Sequence, residues 1–217
     1  CQEYISFCRV LSLSDKVEDW LTKAISTVQD SLRVVLSSAI KEFPALPREQ
    51  WLKNFPAQMI LVTSQINWSH DTYLAFRAVK SGYNKAAMQE MHQRQISRLS
   101  DLITMVQGDL EPNERTKIMN LITLETHGRD INAGFIDAGI TDVQSFSWQS
   151  QLRYKWIKND NLRPNAEPAD EEAPKFEGNC HIEICDASFT YGHEYLGNMP
   201  RLVITPLTDR IYVTATQ

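Results

Sequence analysis

SDKVEDWLTKAISTVQDSLRVVLSSAIKEF, residues 14–43, places apolar side chains at Val17, Trp20, Leu21, Ala24, Ile25, Val28, Leu32, Val35, Leu36, Ala39 and Ile40. Steps of three and four residues keep those positions on one side of an α-helix, so the stretch predicts a single long amphipathic helix. Ser14 is the expected N-cap, Asp15, Glu18 and Asp19 suit the positive end of the helix, and Pro44 stops it. At 1.5 Å per residue such a helix spans about 40 Å, a length that favours a rod or an elongated bundle over a small compact domain.

Working outward from this helix, Pro47 starts a second one through Trp51, Leu52 and Phe55, and Pro56 either kinks it or restarts it as AQMILVTSQINW. Tyr73, Phe76, Val79, Met88, Met91, Ile96, Leu99, Ile103 and Val106 continue the periodicity from Ser69 to about Gly108, with Gly82 as a candidate interruption. A short helix is expected over 114–126, carrying Ile118, Leu121 and Ile122, with turns at 108–112 and 128–139. Trp148, Leu152 and Trp156 mark one face of a last helix, so residues up to about 158 are expected to be helical. Met88, Met91, Met105 and Met119 read as core filler.

The composition then changes. NDNLRPNAEPADEEAPKFEGN, residues 159–179, gathers prolines and acids in the manner of an exposed connector. HIEICDASFTYGHEYLG after it breaks into short strand-like runs, RLVIT is a further β-rich piece between Pro200 and Pro206, and Thr205 with Pro206 forms a helix start. The expected fold class is mainly α: an elongated helical body at 1–158, a connector at 159–179, and at 180–217 the first strands and helix of an α/β unit.

The chain has 217 residues and a formal charge of −5, with 42% apolar and 23% charged residues. That length suits one large domain or two small ones, and the mild acidity argues against a nucleic-acid or anionic-membrane partner. No apolar run reaches the ~20 residues of a membrane span, and the first residues lack the layout of a signal peptide. Cys1, Cys8, Cys180 and Cys185 are too few for a disulfide scaffold and read as reduced and structural. On a strand, Cys180 and Cys185 would point to opposite faces. There is no initiator Met, and TPLTDRIYVTATQ is still helical in pattern where the sequence stops, so the expectation is a piece of a longer chain.

Complete catalytic constellations are not found. A P-loop needs GxxxxGK[ST], whose amides wrap phosphates while Lys and Ser or Thr reach the terminal phosphate and magnesium, and no such string occurs. Asp170-Glu171 sits in the polar connector rather than on an apolar strand and reads as solvated charge. The five histidines are scattered, with His181 and Cys185 the nearest approach to ligand spacing, and no GxSxG is present. Arg153-Tyr154-Lys155-Trp156-Ile157-Lys158 alternates cations with aromatic and apolar residues, as a nucleic-acid groove does. The simpler expectation packs Trp156 under Trp148 and Leu152 on a helix, with the cations in water.

EYLGNMPRLVITPLTDRIYVTATQ, residues 194–217, resembles the start of the first AAA+ module of dynein heavy chains, and WLKNFPAQMILVTSQINWS (51–69) and LITLETHGRDINAGFIDAGITDVQSFSWQSQLRYKW (121–156) resemble the last helical subdomains of the dynein linker. RLVITPLTDR with its Asn198–Pro200 framing looks more like axonemal than cytoplasmic dyneins. The resemblance implies a fragment of an ATP-driven, minus-end-directed microtubule motor of the axoneme of cilia and flagella. Within it, 1–158 would be the mechanical linker and 180–217 the truncated module start, with 159–179 as the compliant joint. It implies that Leu202, Val203, Pro206 and Leu207 lie on the adenine side of ATP or ADP, while magnesium and the phosphates are held by the parent module. It implies as partners the rest of the AAA+ ring, microtubules through distant parts of the parent, and intermediate and light chains through its tail. The fragment itself is then not an enzyme, whereas the parent is a motor ATPase. The contrasting expectation is a free-standing helical scaffold that binds partners along its Trp- and Met-containing stripes.

Overall fold

The computed structural model describes residues 3–13, 16–158, 176–201 and 203–216. Their elements are α1 (Val17–Glu42), α2 (Arg48–Asn54), α3 (Ala57–Lys80), α4 (Ala87–Gln107), α5 (Pro112–Asp137), α6 (Phe146–Gln149), β1 (Arg153–Lys158), β2 (Gly178–Ile184), β3 (Ala187–Thr190) and α7 (Pro206–Thr216). The chain is thus mostly helical, with one small antiparallel sheet in the order β1-β2-β3 and a C-terminal helix. It divides into two compact units: Cys1–Thr63 with Trp156–His181 and Thr190–Met199, and Ser64–Lys155 with Ile182–Phe189 and Pro200–Gln217.

In the first unit, Leu32, Leu36 and Ala39 of α1 are buried together with Trp51, Leu52 and Phe55. The Trp51 indole N–H donates to the Ala39 carbonyl at 3.0 Å, and its ring lies 5.0 Å from Phe43 and 6.0 Å from Phe55. Burying an indole needs such a polar partner as well as apolar neighbours. Arg9 reaches Thr27 and Ser26 at 3.1 Å and Asp30 at 3.4 Å, tying the stretch before α1 onto the helix. Arg33 is buried: its Nε donates to the Gly178 carbonyl at 3.0 Å and its guanidinium lies 4.1 Å over the Phe176 ring. Lys41 pairs with Glu177.

The second unit is centred on an aromatic cluster. Trp148 lies 5.7 Å from Trp68, 5.6 Å from Phe76 and 6.2 Å from Phe135, and Ala75, Met88 and Met91 are buried in the same core. Gly128, inside α5, faces Trp68 so closely that a Cβ there would come within 2.8 Å of the indole nitrogen.

Several expectations survive and several do not. α1 does stop ahead of Pro44, Pro56 separates α2 from a restarted α3, and α3 and α4 part at the turn that contains Gly82. Pro47, however, occupies the N-cap position of α2 rather than its first turn. Ser14 and Asp15 lie outside the described residues, and α1 starts at Val17 with Lys16 in the cap position. The apolar stripe of α1 is buried only from Thr27 onward; Val17, Leu21 and Ile25 are exposed. α5 is far longer than the expected 114–126: residues 128–137 are helical, and of the expected turn only Ala138 and Gly139 form one, because Gly128 serves a close approach instead of a chain reversal.

The helix expected through Trp148, Leu152 and Trp156 is a short α6 followed by a strand. Arg153 and Lys155, two apart and hence on one face of β1, both reach Glu183 of β2, at 3.5 and 2.6 Å. Arg153 is buried and Lys155 exposed, and both are cross-strand partners of one carboxylate. The strand-like character of RLVIT is not realised either: Arg201 and Val203–Thr205 form no strand, since a strand requires a ladder partner. Residues 178 and 179, expected in the connector, belong to β2. A Cβ at Gly178 would fall 2.5 Å from the Ile157 carbonyl and 2.8 Å from the Trp156 ring, so the pairing of the strands demands glycine there. Asp170 and Glu171, with the rest of 159–175, lie outside the described residues. Met88 and Met91 are core residues, whereas Met105 is half-buried and Met119 exposed.

Candidate functional site

The segment singled out by sequence, 194–217, is held together with the three residues before it in two stretches, as far as it is described. In the first unit, residues 191–196 are bound by one amide side chain at the start of α3. Gln58 is buried; its Nε2 donates to the Tyr191 hydroxyl and to the Glu194 carbonyl, both at 2.7 Å, and its Oε1 accepts from the Leu196 N–H at 2.9 Å. The Tyr195 hydroxyl donates to the Glu3 carbonyl at 2.6 Å, and the Glu3 carboxylate accepts from the Ala57 N–H at 2.9 Å. Next to them, His193 is buried with φ of +50°, its Nε2 3.1 Å from the Asn179 side-chain oxygen. That oxygen also accepts from the Cys180 N–H at 3.0 Å, so the imidazole proton sits on Nε2. Burial, reinforced by the charge of Arg33, pushes the His193 pKa down to about 3.

In the second unit, the stretch after Pro200 is fastened to α5. The Arg201 backbone N–H donates to the buried Asn120 side-chain oxygen at 3.1 Å. Thr205 and Thr208 close a reciprocal cap, with Thr205 N–H to Thr208 Oγ1 at 2.9 Å and Thr208 N–H to Thr205 Oγ1 at 3.4 Å, and Pro206 opens α7 as expected. One turn on, Asp209 Oδ1 lies 3.6 Å from His127 Nε2. Burial holds His127 below its ordinary value, with Asp209 and Asp130 opposing, and burial pushes Asp209 up, with His127 opposing.

The anchored face of this stretch is polar and its other face is apolar and free. Val203 is 64% exposed, Leu207 67% and Ile211 56%; Pro206 is exposed as well, and Leu202 lies outside the described residues. Sequence reading found the segment and its cap but missed Gln58, Asn120, His127 and Asp209 as the groups that hold it. Asn120 and His127 stand seven residues apart, two turns on one face of a helix that the sequence was expected to end at 126.

Other sequence candidates do not assemble. Among the described residues no group of three His, Cys, Asp or Glu side chains is placed to hold a metal ion. Cys8, Cys180 and Cys185 are free thiols and Cys1 lies outside the described residues; burial pushes the Cys180 pKa up to about 12, which leaves it an inert core group. Cys185 lies beyond the end of β2, in the turn before β3, with φ of +47°. No helix among the described residues is long and apolar enough to cross a membrane.

Comparison with known proteins converges on one family. The family described as the hydrolytic ATP binding site of dynein motor region matches residues 191–217. Dynein axonemal heavy chain 11 of Sus scrofa is 40% identical over 216 residues, covering 100% of this chain and 4% of its own length. Dynein axonemal heavy chain 17 of Homo sapiens is 40% identical and the dynein alpha chain of the flagellar outer arm of Chlamydomonas reinhardtii 41%, each over 99% of this chain and 4% of the relative. The chain spans about 4% of the length of the relatives it matches. Identity near 40% that runs from end to end, together with the match at 191–217, shows that this chain belongs, as a segment, to the axonemal dynein heavy-chain family.

Proposed function

We propose that residues 1–158 form the C-terminal helical subdomains of a dynein linker, 159–179 its connector, and 180–217 the start of the first AAA+ module. The parent is then an ATP-driven, minus-end-directed microtubule motor of the ciliary or flagellar axoneme. This part transmits the power stroke and supplies the adenine-side N-loop of the main ATPase module. The parent binds ATP or ADP with magnesium, works with the rest of its AAA+ ring, reaches microtubules through distant regions, and carries intermediate and light chains on its tail.

The observation that carries this reading is the coincidence, at 203–207, of the match to a dynein ATP-binding region with exposed apolar residues at a capped helix start. Val203, Pro206 and Leu207, with Leu202 before them, contact the adenine. Their apolar side chains cover the base while Thr205 and Thr208 satisfy the local backbone and leave the helix start stable without ligand. A lever needs stiffness in its arm, and helices such as α1, α3 and α5, each of 24 or 26 residues, supply that.

Photolabelling of the heavy-chain motor with an azido-adenine nucleotide tests the assignment. Cross-linked peptide covering 202–207, and a several-fold rise in the KM for ATP in Leu207→Asp, are the expected results. Labelling confined to other parts of the motor would overturn it.

A further inference from the structure

The geometry points to Asn120 and His127 as positioning residues: through the Arg201 N–H and the Asp209 carboxylate they clasp the nucleotide-side segment to α5 and thereby set its readiness to bind the base. The inference deepens the N-loop reading and rests on it. Between the two contact points Val203, Pro206 and Leu207 are exposed and Ile204 is half-buried; at one end Asn120 accepts the Arg201 N–H, and at the other His127 Nε2 lies 3.6 Å from Asp209 Oδ1, an ion pair when the imidazole carries its proton.

Neither contact is explained by the needs of α5 or α7 alone. Asn120 is buried, yet its side-chain oxygen is given to a backbone N–H eighty-one residues later, in a stretch that has no ladder of its own. His127 is set back on α5, beside Gly128 and one turn before Asp130, with Asp209 its facing carboxylate from α7 and Asp130 the charged neighbour on its own helix. Two points two turns apart, about 10 Å at 1.5 Å per residue, fix the direction of a segment as well as its position, which a single contact cannot do. A segment held in the binding orientation before the ligand arrives avoids the ordering cost that a loose one would meet on binding. Movement of α5 is then felt at the adenine side, and occupancy of that side is felt at α5, by the reciprocity of linked equilibria.

The test uses the heavy-chain motor that contains this segment, with His127→Ala, Asn120→Ala, Asp209→Asn and the pair His127→Ala with Asp209→Asn. Hydrogen exchange should speed up in α7 by about tenfold in each single variant while α3 and α4 keep their protection, as loss of one such contact implies. The KM for ATP should rise by a similar factor with kcat little changed, the double variant should add nothing to either single, and His127→Gln, which retains a donor, should restore most of the affinity. Faster exchange without any change in KM, or additive effects in the double variant, would overturn the clasp. Absence of azido-adenine labelling at 202–207 in the unaltered motor would instead defeat the N-loop reading, and the exchange result would still report whether α5 holds α7.

Discussion

The indole nitrogen of Trp68 on α3 donates to the Gly128 carbonyl of α5 at 3.2 Å, and the ring fills the space that any side chain at 128 would occupy. Two helices approach here at the cost of placing glycine mid-helix, which is unfavourable by about 1 kcal/mol relative to alanine. Gly134, on the same helix, has nothing near its Cβ position.

The pair gives opposite outcomes for one substitution. Gly128→Ala is expected to destabilise the chain by about 1–2 kcal/mol, because the displaced indole is itself packed on Trp148 and overpacking outweighs the gain in helix propensity. Gly134→Ala should stabilise by about 0.5–1 kcal/mol. Urea unfolding of both variants decides the matter, and equal signs would show that Trp68 does not confine residue 128.

Gln58 presents the polar counterpart. Gln58→Ala removes three hydrogen bonds and strands the Glu194 carbonyl and Leu196 N–H, so a loss of about 2–4 kcal/mol is expected. Exchange of the amides at 191–196 should accelerate while those of α4 and α5 do not. Unchanged protection at 191–196 would mean that the segment is held by other contacts.

Gly128 and Gln58 also mark where sequence reading stops. Long apolar stripes, broken at Pro44, Pro56 and Gly82, make α1 to α4 legible, and Thr205 with Pro206 marks the start of α7, because caps and periodicity are local physics. The glycines at 128, 134 and 139 carry the same local signal whether they turn a chain, admit a neighbouring ring or do neither, so the local pattern alone ends α5 near 126. Arg153 to Lys158 fits period 2 and a helical stripe alike until Glu183 is placed beside it. Asn120 and His127 were invisible as partners of 201 and 209 for a related reason: each is a single polar residue whose meaning depends on a contact some eighty residues away.

His193 allows the sign of a pH dependence to be worked out. Its folded-state pKa, pushed down to about 3 by burial first and Arg33 second, lies below the ordinary histidine value of 6.5. A depressed pKa means that the unfolded chain takes up a proton that the folded chain refuses, so the contribution is complete above pH 6.5 and is lost as pH falls toward 3. The slope is about 1.4 kcal/mol per pH unit, so roughly 2 kcal/mol should disappear between pH 6.5 and 5. The carboxylates held low by lysine partners, Glu49, Asp142 and Glu177, start from ordinary values of 4.5, 3.8 and 4.5 and so act below this window. His127 is also depressed and adds in the same direction, which makes the comparison with His193→Gln the informative one. Urea midpoints at pH 7, 6 and 5 should converge between the two proteins as pH falls, with the variant the less pH-dependent. Parallel pH profiles would mean that His193 takes up its proton in the folded state and that its buried surroundings, with Asn179 and the charge of Arg33, tolerate a second positive charge.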